Sequence, residues 1–72
     1  MEKLYLSTSL YKENILKKAI KEYNKIAKIN IVKRDKEFVL EFNIISNDNI
    51  ENIIDEFCNY VLSLMNLGVY NG

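Results

Sequence analysis

The hydropathy pattern of this chain predicts an α+β fold. Its order is β-α-β-β-α, a three-stranded sheet with two helices on one face, a truncated ferredoxin-like arrangement. Three observations carry that expectation. Apolar residues alternate with polar ones near the amino end and again over residues 29–45. Between these stretches, and after them, the apolar spacing changes to that of a helix. The chain has 72 residues, two glycines and no proline, which suits one small domain with short connections.

Residues 3–9 read as an opening strand. Leu4 and Leu6 take one face, and Lys3, Tyr5 and Ser7 the other. Helical spacing then sets in. Ile15, Leu16, Ala19, Ile20, Tyr23, Ile26 and Ala27 form one stripe, with Lys17, Lys18, Lys21 and Lys25 opposite. A first helix is expected from about Lys12 to Ile26.

Period two returns at Ile29 and Ile31. The polar segment KRDKE, Lys33 to Glu37, supplies a turn. Phe38, Leu40, Phe42 and Ile44 then alternate with Val39, Glu41, Asn43 and Ile45, which makes a hairpin. Phe42 reads as a core residue.

Ser46-Asn47-Asp48-Asn49 ends that strand. Asp48, three residues before Glu51, fits a capping box for a second helix. Asp48, Glu51, Asp55 and Glu56 crowd its first turns, where the helix dipole favours negative charge. The apolar positions are Ile50, Ile53, Ile54, Phe57, Cys58, Val61, Leu64 and Met65, and Gly68 suits the position just past the end. Tyr60 and Leu67 widen the apolar arc on one side and Leu62 on the other, to more than about 200° of the helix surface at 100° per residue. One sheet does not need so wide an arc.

The ferredoxin-like series starts with the same elements and adds a fourth strand beside the first. By that analogy the strand order is 1-3-2, the first crossover is right-handed, and the first strand is an open edge that invites another strand.

Charge is unevenly spread. Residues 1–36 hold ten basic and four acidic side chains, a net of +6, and residues 37–72 hold six acids and no base, a net of −6. A basic helix beside an acidic helix is the plain expectation. The last charged side chain is Glu56, and the sixteen residues from Phe57 to Gly72 carry none. A bare apolar end on a small domain implies that something covers it. Tyr60, Leu64 and Leu67 are the expected partner-binding anchors, with Tyr5 on the open first strand as a further candidate.

Chemistry is sparse. The chain has no histidine and one cysteine, so an internal disulfide and a multi-cysteine zinc site are excluded. The acids of the second helix read as a solvated face, and Cys58 as an inert thiol on the apolar arc. No glycine-rich loop cradles a phosphate. No catalytic, cofactor-binding or metal-binding residue is expected. No secretory leader is expected from MEKLYLSTSL, and no run of about 20 apolar residues exists to span a bilayer, so the chain reads as cytosolic.

Leu10-Tyr11-Lys12 running into a helix with Ala19 and Tyr23, the hairpin over 29–44, and a helix built around Phe57-Cys58-Asn59-Tyr60-Val61-Leu62 together resemble a known outline. It is similar to the small HxsD-type accessory proteins of His-Xaa-Ser radical-SAM systems. The family's late helix carries an Asn, which Asn59 matches, followed by a Leu-Arg pair; the Arg has no counterpart here. The resemblance implies a non-catalytic adaptor that binds a radical-SAM modifying enzyme or its ribosomal peptide substrate. Competing readings are a self-assembling structural or regulatory homo-oligomer, an RNA-binding module using the lysine face, and a small enzyme with a site shared between subunits.

Overall fold

The computed structural model describes residues 2–45 and 49–66. Five elements follow one another: β1 (Glu2–Ser7), α1 (Glu13–Glu22), β2 (Ala27–Arg34), β3 (Glu37–Ile44) and α2 (Ile50–Asn66). The strands form one antiparallel sheet in the order β1-β3-β2. The expected class, element order and strand order are all present.

Register follows from the turn. β2 and β3 continue to Arg34 and Glu37, so only Asp35 and Lys36 are left to reverse the chain, fewer than the five residues of KRDKE. Asp35 takes a positive φ of 46°. A two-residue hairpin needs such a backbone to match the twist of its strands, and Asp tolerates it better than most side chains. Val32 then faces Val39, Ile31 faces Leu40 and Ile29 faces Phe42. On the other side of β3, Leu6 faces Phe38, Leu4 faces Leu40 and Tyr5 faces Val39.

The even-numbered β3 residues point to the helices. Phe38, Leu40 and Phe42 share one buried cluster with Leu6 and Ile29 of the flanking strands. Ile15, Leu16 and Ala19 of α1 and Phe57, Val61 and Leu64 of α2 complete it. Both helices therefore lie on one face of the sheet. A chain of rings ties the layers together. Phe42 meets Phe57 edge-on at 5.3 Å, Phe57 meets Tyr23 edge-on at 5.5 Å, and Tyr23 lies 6.1 Å from Tyr60. Such pairs contribute about 0.5–1.5 kcal/mol each beyond their burial.

α1 is shorter than its stripe suggests. The Tyr23 N–H bonds back to the carbonyls of Ala19 and Ile20, and the Tyr23 carbonyl then accepts the N–H groups of Ile26 and Ala27, both at 2.9 Å. This tight reversal turns the chain into β2 and keeps Ala27 in the core. Helical spacing alone does not separate a continued helix from such a turn. The second helix also starts differently from expectation. Asp48 lies outside the described residues, and Asn49 is the cap: its Oδ1 accepts the Glu51 N–H at 2.8 Å. Gly68 likewise lies outside the described residues.

Candidate functional site

The face of the sheet turned away from the helices is crossed by three rows of side chains. Lys3, Glu41 and Asn30 form the first, Tyr5, Val39 and Val32 the second, and Ser7, Glu37 and Arg34 the third. The middle row is apolar and runs across all three strands. Val39 is only 6% exposed, yet its neighbours Tyr5 and Val32 are 56% and 43% exposed. Charged and polar residues rim this row on both sides, and Lys3 Nζ lies 3.6 Å from Glu41 Oε2 within the first. None of the described helices covers this face.

β1 is an edge strand, and its backbone polarity can be assigned. The Thr8 N–H donates to the Lys36 carbonyl at 3.0 Å. Backbone groups alternate sides along a strand. Leu4 and Leu6 therefore direct their N–H and C=O groups at β3, while Lys3, Tyr5 and Ser7 direct theirs outward. The Ser7 carbonyl is already occupied, accepting the N–H groups of Leu10 and Tyr11 at 3.2 and 3.0 Å.

α2 has two unlike flanks. α1 packs beside β2, and α2 packs beside α1. The flank with Tyr60 turns to α1, where the Tyr60 ring meets Tyr23. Two residues on, about 200° round the helix, Leu62 is 45% exposed. Ile54, Cys58 and Met65 are half-buried on that same outer flank, turned away from α1, the helix that contacts β2.

The expected anchors thus separate. Tyr5 stands open on the sheet face. Tyr60 is half-buried and engaged with α1. Leu64 is 6% exposed and belongs to the core, so its side chain is not available to a partner. Leu67 lies outside the described residues. Leu10, Val32, Ile45 and Leu62 are exposed apolar residues outside that set of anchors. Val32 needs the two-residue turn to be placed opposite Val39; Leu62 needs the rotation of α2 about its own axis.

Two side chains have their proton affinity set by their surroundings. Burial, and then the Asp55 carboxylate, push the Cys58 thiol above its ordinary value, which keeps it neutral and weakly nucleophilic. Burial also raises the Tyr23 phenol, with Glu56 and Tyr60 adding to the shift. On α1, Lys17 pairs with Glu13 at 3.0 Å and Lys18 with Glu22 at 3.9 Å. Such exposed pairs contribute about 0–1 kcal/mol, but they dilute the positive field of the lysine face. Among the described residues no group of three or more His, Cys, Asp or Glu is placed to hold a metal ion. No helix among them is long and apolar enough to cross a membrane.

Comparison with protein-family models, with curated proteins and with solved structures finds no match for this chain.

Proposed function

We propose that this chain is a non-catalytic protein-binding module, a cytoplasmic adaptor that docks its open sheet face on a larger protein. Its partner is a radical-SAM modifying enzyme or the ribosomal peptide that such an enzyme modifies. One observation carries the binding role: the apolar row Tyr5–Val39–Val32 crosses the whole sheet, rimmed by charge and uncovered by the described helices. An exposed aromatic beside aliphatic residues, with a polar rim, has the make-up of a protein-interface centre. The class of partner is supported by the resemblance to HxsD-type accessory proteins in Leu10-Tyr11-Lys12, the hairpin and the Phe57–Leu62 helix.

A photo-crosslinking amino acid in place of Val32, with one in place of exposed Lys17 as control, tests this in the source cell. The expected adduct forms from position 32 and not from position 17. Mass spectrometry should identify it as a radical-SAM enzyme or a short ribosomal peptide. Val32→Glu should weaken binding of that partner by about 2 kcal/mol, as interface-centre substitutions do, without lowering the melting temperature. An adduct with RNA, or none at all, overturns the reading.

A further inference from the structure

We propose that the β1 edge and the outer flank of α2 form one continuous surface that takes a second copy of this chain. The two copies pair through antiparallel β1 strands centred on Tyr5. This goes beyond the adaptor role and leaves the open sheet face free for it.

Backbone and side chains converge on the same side of the molecule. Lys3, Tyr5 and Ser7 direct their backbone groups outward from β1, as the Thr8–Lys36 bond and the alternation of the strand require. A two-fold axis perpendicular to the sheet through Tyr5 places Tyr5 opposite the partner's Tyr5, and Lys3 opposite the partner's Ser7. All of these residues are of the outward-facing set, so the pairing is self-consistent. The Tyr5 N–H and C=O exchange bonds with their twins. The Ser7 N–H donates to the carbonyl of the partner's Lys3. The Ser7 carbonyl, held by its own turn, is spared. On the helix side Leu4 meets the partner's Leu6. No like charges come opposite one another; Lys3, the charged member of the outward set, faces a serine.

The helix adds the second half of the surface. Phe57 sits on Phe42, and Phe42 pairs with Glu2. Tyr5 lies three strand residues further on, about 10 Å, which the helix covers in about seven residues. This brings the stretch around Leu62–Asn66 level with the axis. Symmetry presses whatever lies at the axis against itself, so a charged segment there would repel its own copy. That stretch of α2 carries no charge, and its outer flank presents Leu62 and Met65. A self-facing position therefore explains why charge ends at Glu56 and why the apolar arc is wider than one sheet requires. The product is a six-stranded sheet with four helices on one side and an uninterrupted open face on the other.

Sedimentation velocity on the full chain at tens of micromolar, with amide hydrogen exchange on the same samples, tests the proposal. A species of twice the 8.5 kDa chain mass is expected. Raising concentration should slow exchange at the Tyr5 and Ser7 amides, while Leu4 and Leu6 are already protected by β3. Leu62→Glu, at an exposed position, should raise the dimer Kd about tenfold or more with an unchanged monomer melt. Tyr5→Pro removes an outward N–H, which edge strands tolerate, and should do the same. Val32→Glu should leave the dimer intact, which separates this surface from the adaptor face. A single 8.5 kDa species, or a dimer indifferent to both Leu62→Glu and Tyr5→Pro, overturns the proposal.

Discussion

Phe57 is the residue on which the layers meet. Its ring is fully buried and touches Phe42 of β3 on one side and Tyr23 past the end of α1 on the other. No single smaller side chain fills that space, so Phe57→Ala should cost about 3–5 kcal/mol in chemical denaturation. A loss below about 1 kcal/mol would mean that the helices do not close on the sheet through this ring. Tyr23 responds to pH. Burial, then Glu56 and Tyr60, raise its folded value above the ordinary 10.0. The native state thus holds this proton more tightly than the unfolded chain. The stabilisation is complete below the unfolded value and is lost as pH climbs through the raised folded one. Tyr23→Phe keeps the ring contacts and removes the titration. Its stability should fall less steeply than that of the parent chain in alkaline solution, as denaturant midpoints across the alkaline range will show.

Among the elements, α2 is fastened at its amino end. Its first turn has Asn49 as cap and Glu51 as a favourable charge near the positive end of the helix. Asn49→Ala removes the acceptor for the Glu51 N–H and should cost about 1 kcal/mol. Hydrogen exchange at Glu51 should rise with it, since that amide loses its partner. α1 is held otherwise, by two i,i+4 ion pairs and a tight carboxy-terminal turn. Shortening α1 at Tyr23 is what allows that ring to swing against Phe57 and Tyr60 and lock the two helices side by side.

At the scale of the whole molecule, the charge split and the proposed dimer surface fall in different places. The lysines of α1 lie on its exposed side, and Lys17 and Lys18 have acidic neighbours. The strip formed by β1 and the outer flank of α2 is uncharged where the two-fold axis passes. Association through that strip forms no ion pair at its centre. The dimer Kd should therefore change little between low and moderate salt, because screening acts on exposed charges. A steep weakening with salt, followed by sedimentation, would place the contact on the lysine face instead. Added to the strand edge, the helix flank also answers a need of small domains. One thin core leaves little stability, and pairing buries more apolar surface without enlarging the chain.

Alternation and helical spacing are local properties of a chain, so the kind and order of the elements and the two faces of each strand are legible without the fold. Leu4 and Leu6 inward with Tyr5 outward, and Phe38, Leu40 and Phe42 inward with Val39 outward, needed nothing beyond period two. The surplus of apolar surface on the second helix was legible for the same reason. Which residues form that surplus was decided only in the folded molecule. The rotation of α2 about its own axis is set by Phe57 against Phe42 and by Tyr60 against Tyr23, contacts between residues far apart in sequence. That rotation buries Leu64 and exposes Leu62, which the width of the arc alone does not distinguish. The row Tyr5–Val39–Val32 has the same origin. It requires two strand pairings at once, and its register depends on a turn of two residues at Asp35 and Lys36, where composition allowed up to five.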